Sequence, residues 1–430
     1  MPVWKRTLWS TALAQMLCIV GFNFVLPFLP LFVQQLGVHG QTNITLWAGL
    51  LGGGSAICMA VSSPIWGVLA DRHGRKIMLV RAVFSAAVLI GLSSLVQNVY
   101  ELLALRMLQG VFTGTVTASQ ALVSSQVPKE RLGFSLGVMQ TAVYLGSSLG
   151  PLGGGLVADA LGFRFSFAMA GCILLIAGVL ITFLVEEEKR PVREVSAARQ
   201  SFWRGMGDAI NSSAVLAMAA AMFAVNFGVT VVFPILPQFV QMLQGPSGHD
   251  AALTGLVFTA AGVAGAISSV VTGSFADRIG YQRVIVTAAI IAAILSVPQY
   301  FVNATWQLAV LRILIGLALG AILPSASALI ASLVPPEKRG TAYGLMGSAT
   351  SLGFGVGPLT AAGVVAVAGI RAVFLTAAVL LAFIALWVGS MVHVPTAAPS
   401  VAEPRRREPG PPMPAGGGAE RGARIGQDSD

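Results

Sequence analysis

Charge is what this sequence has least of. Asp, Glu, Lys and Arg together make up 10% of its 430 residues, where a soluble domain carries about 25%. Water is therefore excluded as the main solvent of the chain. Cysteine is scarce as well: Cys18, Cys58 and Cys172 all fall in apolar stretches, which excludes a disulfide framework and leaves small buried hydrophobes as their reading. No Gly-x-x-x-x-Gly-Lys-Ser/Thr loop is present to cradle ATP. His39, His73, His249 and His393 stand in loops or termini without Cys or His partners at ligand spacing. The sequence thus predicts no enzyme, no metal and no cofactor. The net charge of +9 comes from basic residues scattered over short loops rather than an aromatic-interleaved patch, which argues against nucleic acid. No small-residue cleavage site follows the first apolar segment before Pro27 and Pro30, so that segment reads as a span and not a leader.

What is present is hydrophobic length. Residues of hydrophobic type make up 55% of the chain, and mean hydropathy is +0.80. Apolar stretches recur that are long enough, at about 20 residues each, to cross ~30 Å of hydrocarbon as helices. Breaks between them place spans near 8–34, 46–70, 77–97, 101–126, 133–158 and 164–185. A second set follows near 213–243, 252–276, 284–303, 306–333, 340–367 and 371–392. The expected class is an all-α membrane protein of twelve transmembrane helices in two pseudo-symmetric six-helix bundles. Its parts are a first bundle at 1–185, a polar linker at 186–212, a second bundle at 213–393, and a tail at 394–430 rich in Pro, Gly, Ala and Arg that is expected to be disordered. All but four of the 26 Lys and Arg fall on the side that holds both termini. By the positive-inside rule that side is the cytoplasm.

The two sets repeat one another at an offset of 206 or 207 residues. Pro27-x-x-Pro30-x-Phe-Val-Gln34 returns as Pro234-x-x-Pro237-x-Phe-Val-Gln241, Arg106…Gly110 as Arg312…Gly316, and Gly146-x-x-x-Gly150-Pro151 as Gly353-x-x-x-Gly357-Pro358. Parallel repeats of this kind place a site between the halves near the midplane, the arrangement of a secondary transporter.

Three motifs narrow the reading. The loop after span 2 runs Gly67-Val-Leu-Ala-Asp71-Arg72-His73-Gly74-Arg75-Lys76 and returns in degraded form around Asp277-Arg278. Span 4 carries Arg106 at membrane depth, followed by Gln109 and Gly110; a guanidinium there costs roughly 2.5–3.5 kcal/mol and calls for a partner, unless it snorkels beside Glu101 at the outer interface. Span 5 carries Gly146, Gly150, Pro151 and Gly154, small residues that permit close helix contact, with a proline that predicts a bend. Together these resemble the loop signature, the span-4 Arg element and the antiporter motif of the drug/proton antiporter family with twelve spans, in the major facilitator superfamily. The resemblance covers residues 5–392 and implies a multidrug exporter of a prokaryotic inner membrane, a monomer exchanging protons for amphipathic small molecules. It also implies that Asp71 latches the halves against the start of span 11 near Gly340, and that Arg106 takes part in proton exchange.

No carboxylate lies inside span 1 or span 7, so the proton carrier is open among Glu101, Asp159, Asp71 and Asp208. The expected cavity wall is Asn23, Phe24, Phe28, Gln109, Gln140, Tyr144, Asn226, Phe227, Phe233 and Met346, though ordinary helix packing explains such residues as often. A metabolite uniporter or proton symporter shares the fold and the loop signature and stands as the alternative. A sensor or scaffold would need an extramembrane domain.

Overall fold

The computed structural model describes residues 3–128, 131–185, 187, 213–245, 249–322, 324–326, 329 and 339–391. The tail and all of the linker except Glu187 lie outside these residues, and so does Asp208. Every regular element described is helical. In chain order they are α1 (Val3–Val25), α2 (Leu29–Gln35), α3 (Gln41–His73), α4 (Arg75–Leu92), α5 (Val99–Phe112), α6 (Thr115–Gln126), α7 (Leu132–Leu161) and α8 (Phe163–Leu184). The second set is α9 (Ser213–Thr230), α10 (Leu236–Gln244), α11 (Asp250–Ile279), α12 (Tyr281–Ser296), α13 (Thr305–Gly320), α14 (Arg339–Ala368) and α15 (Ala372–Met391).

Spans 1, 4 and 7, read as continuous from hydropathy, are each broken. A 3₁₀ turn at Leu26–Phe28 separates α1 from α2, and residues 231–235 separate α9 from α10. Proline supplies the reason in both halves: Pro27 and Pro234 have no N–H to continue the ladder and disfavour helical geometry in the residue before them. The break between α5 and α6 falls at Thr113 and Gly114, the latter at φ 140°. Pro151, by contrast, sits inside an uninterrupted α7.

The halves repeat element by element. Gly74 turns α3 into α4 at φ 101°, and Gly280 turns α11 into α12 at φ 97°. Inside the first half, α1 packs on α7 and α8, α3 on α5, and α4 on α8; in the second, α9 packs on α14 and α15, α11 on α13, and α12 on α15. One core gathers Ala14, Val33, Leu51, Ile90, Leu102, Phe167 and Leu174, and the other half has Val231, Phe239, Leu308 and Phe374 beside Ile285, Ala289 and Val388. The outward surface is as apolar as the core. Phe183 is 75% exposed, Leu386 73% and Val367 90%, a pattern that suits hydrocarbon and not water. Eight stretches of the described residues are long and apolar enough to cross a membrane. Helices α4, α5 with α6, α7, and α9 with α10 complete two sets of six.

Candidate functional site

Two seams join the halves, and both lie toward the face opposite the N-terminus, the distal face. In the first, α7 crosses α11. A Cβ on Gly255 would fall on the carbonyl of Pro151, and one on Gly155 on the carbonyl of Ala251. In the second, α3 crosses α14, where a Cβ on Gly49 would sit 2.7 Å from the carbonyl of Pro358 and one on Gly53 would meet Gly355. The two seams are repeat copies, since Gly49 corresponds to Gly255 and Pro151 to Pro358. Missing side chains let the backbones touch.

Polar contacts finish the distal closure. Gln34 Nε2 donates to Gln241 Oε1 at 3.3 Å, and Gln238 Nε2 donates to Thr45 Oγ1 at 3.0 Å. The Asp159 carboxylate accepts from the N–H of Ala252 at 2.7 Å and of Ala251 at 3.3 Å. It thereby satisfies donors that the first turn of α11 leaves without intrahelical partners. Beneath it Phe28, Leu31, Ala158 and Ala251 are buried together.

Toward the other face the halves part. A Cβ on Gly137 of α7 or Gly347 of α14 would meet nothing within 4 Å among the described residues. Just below the Ser148–Thr259 contact, where the Thr259 hydroxyl donates to the Ser148 carbonyl, a cavity of about 350 Å³ opens, lined by Gln140, Thr141, Tyr144, Leu145, Ala266, Ser269, Val270 and Pro324. Gln140 and Tyr144 stand one turn apart on α7, so one amide and one phenol meet the space as a pair. A second, apolar groove of about 600 Å³ runs along α15 by Phe227, Leu375, Val379 and Phe383.

Of the expected wall residues whose side chains are described, only Gln140 and Tyr144 line the cavity between the halves. Asn23 and Asn226 each donate to their own helix, at Ile19 and Met222. Phe24 lies against Gly153 and Gly154, Phe233 stacks on Phe258 at 4.7 Å, and Phe227 lines the outer groove. The side chain of Met346 lies outside those described, as do the surroundings of Gly67, Asp71, Arg72, Asp277 and Arg278.

Gly146, Gly150 and Gly154 seat α1: a Cβ at any of them would collide with Ile19, Asn23 or Phe24. Gly353 and Gly357 do the same for α9. The span-5 motif is thus a packing face in both halves, and its proline turns toward the opposite half.

Arg106 is 3% exposed. Its Nη1 donates to Gln109 Oε1 at 3.0 Å, its guanidinium lies 6.0 Å from the Phe167 ring, and Nε and Nη2 have no hydrogen-bond partner among the described residues. Glu101 is engaged elsewhere: it accepts from Asn98 Nδ2 at 2.7 Å and from the Gln97 N–H at 2.8 Å, while Asn98 Oδ1 caps its own N–H. This is a helix-capping box. Arg312 lies in the same way 5.7 Å from Phe374, and its Nε and Nη2 likewise have no hydrogen-bond partner among the described residues. At the near face, Glu187 accepts from the N–H groups of Arg75 and Lys76 at 2.8 and 2.9 Å, capping α4.

The Major Facilitator Superfamily profile matches residues 11–249 and again 218–423. The chain belongs to that superfamily. Among curated members, it is 36% identical over 386 residues to multidrug resistance protein MdtG of Citrobacter koseri, covering 89% of this chain and 94% of that one. It is 35% identical over 388 residues to MdtG of Enterobacter lignolyticus, covering 90% and 92%. Solved structures share the fold: a bacterial homologue of the human lysosomal transporter Spinster in an inward-facing, occupied conformation superposes with TM-score 0.71 at 15% identity over 90% of this chain and 97% of that one. A D-xylose–proton symporter superposes with TM-score 0.73 at 17% identity over 90% and 98%.

Sequence reasoning missed several residues of this candidate site. Gln34, Gln241 and Gln238 stand in the repeated Pro-x-x-Pro segment, where the signal is present but reads only as a landmark of the repeat. Thr141 and Ser269 carried none, being small polar residues in apolar helices. A buried pair deeper in the first half, Ser119 Oγ donating to Gln15 Oε1 at 2.7 Å, was equally silent.

Proposed function

We propose that the chain is a secondary exporter of amphipathic small molecules, a multidrug transporter that exchanges them for protons by alternating access. The cavity between α7 and α11 carries this reading. It lies where the halves part, beneath a distal face that is sealed, and it combines apolar walls with the Gln140–Tyr144 pair. Such a site holds a hydrophobic body and orients one polar group. The multidrug resistance names of the related MdtG proteins support the same activity.

With the basic residues on the side of the termini, that side is the cytoplasm of a prokaryotic cell and the cavity faces inward. The two six-helix bundles at 1–185 and 213–393 then rock about the seams, working as a monomer, with Asp71 latching the cytoplasmic side when the distal side opens. Among the residues proposed for proton coupling, Arg106 is the buried charge, Asp159 is the carboxylate that reaches across the halves, and Glu101 serves through its cap on α5. Because no acid lies within span 1 or span 7, a permanent cation would meet no counter-charge there. Neutral, zwitterionic and anionic amphiphiles are therefore the favoured substrates.

Dye accumulation in cells lacking their own exporters tests the proposal. Expression should lower accumulation, and a protonophore should restore it. Unchanged accumulation, or efflux that ignores the protonophore, would overturn it.

A further inference from the structure

The two seams are copies of each other in backbone and differ in their side chains at the rim. On the α7–α11 seam, both carboxylate oxygens of Asp159 accept from the first turn of α11. At the repeat-related place on the α3–α14 seam, Ala366 stands for Asp159 and Leu46 for Ala252. The polar contact beside that place is the neutral Thr45–Gln238 pair. The Asp159 contact crosses from one half to the other, so it exists only while the distal face is shut. A carboxylate suits a helix N-terminus because it meets both the orphan N–H groups and the positive end of the dipole. His249 and Asp250 flank the same turn, and Leu31 is buried directly beneath it.

We propose that Asp159 is a positioning residue for alternating access: a one-sided charged clamp that holds the distal face closed and sets how often it opens. It acts through the helix terminus and touches no substrate. The clamp depends on the halves moving against each other, as in the proposed function, but not on protons or on any particular substrate. Its loss shifts the conformational equilibrium in the direction of distal opening by the amount that a lost helix cap implies.

The test uses full-length protein purified in detergent, with Cys18, Cys58 and Cys172 replaced by alanine and one reporter cysteine added. Leu31→Cys reports distal opening by its rate of maleimide labelling, and Gly137→Cys reports the opposite side. Asp159→Asn removes the charge and one of the two acceptor oxygens. It should raise the Leu31→Cys rate roughly fivefold, as expected for losing one hydrogen bond and the charge at a helix terminus, and lower the Gly137→Cys rate. Ala252→Pro removes the nearer of the two donors instead of the acceptor, in the first turn of α11, where no intrahelical hydrogen bond is lost. It should give the same change, and the double variant should show no more than either single variant. Asp159→Glu should stay closer to the parent than Asp159→Asn does. Unchanged labelling in Asp159→Asn would overturn the clamp, and so would additive effects in the double variant or a Glu variant no better than Asn. Because labelling needs neither dye nor proton gradient, failure of the clamp and failure of the export reading remain separate results.

Discussion

The α7–α11 and α3–α14 seams use the same device, a glycine set on the carbonyl of a proline that follows a Gly-x-x-x-Gly step. The first is finished with a carboxylate on a helix terminus, the second with an amide–hydroxyl pair. What was duplicated is the shape of the contact. What diverged is the chemistry at its edge, where substitution does not disturb backbone packing. A transporter needs both: a crossing that fits in each half, and unequal strength at the rim so that closure can be tuned.

Breaking either crossing at its centre should have the largest effect. Gly255→Leu and Gly49→Leu each drive a side chain into a proline carbonyl, and overpacking of this kind costs about 1–3 kcal/mol or more. Both variants should drop efflux to a tenth of wild type or below and leave Leu31→Cys open to labelling. A large loss from only one would mean that the seams do not share the load of closure.

The buried arginines extend the comparison into each half. Arg106 and Arg312 occupy equivalent places under equivalent aromatic rings. Gln109 accepts a hydrogen bond from Arg106, whereas the residue three places after Arg312 is Ile315, which offers no acceptor. Arg106→Ala should abolish proton-coupled efflux with the protein still inserted, while Arg106→Lys keeps a little. Removing a charge with two unpartnered nitrogens relieves desolvation, so thermal stability should hold or rise. Arg312→Ala should retain efflux. Equal loss from both, read by efflux at matched expression, would end the distinction.

Smaller effects belong to the cavity and the neutral rim. Tyr144→Ala should reduce efflux about threefold to tenfold for some substrates and not others, as loss of one orienting hydrogen bond and a ring face implies. Gln238→Ala removes a neutral pair and should change distal labelling by about twofold at most, less than Asp159→Asn does. The reverse order would place the stronger clamp on the α3–α14 seam.

Much of this was legible from residues alone. Gly49, Gly255, Pro151 and Pro358 lie within or beside segments that repeat at an offset of 206 or 207 residues, and repetition places them at equivalent points whatever the structure. The breaks in spans 1 and 7 were also written in Pro27 and Pro234, but hydropathy averages over a window and ran straight through them. The cavity wall was poorly legible. Asn23 and Gln140 look alike in sequence, each an amide in an apolar helix. One turns its amide back on its own carbonyl ladder and the other faces open space, and only the crossing of α7 with α11 decides which. Asp159 was visible as a carboxylate at a span end, whereas the donors it meets belong to a helix 92 residues away.

The cap that Glu187 places on α4 bears on how the molecule is made. A chain emerging from the ribosome N-terminus first presents residue 187 before Ser213 exists. By then the first half, with the start of the linker, can satisfy the start of α4, and among the described residues its main helix contacts with the second half are the seams. Synthesis can then proceed as two successive assemblies, each closed on itself, with docking along α7 and α3 as the final event.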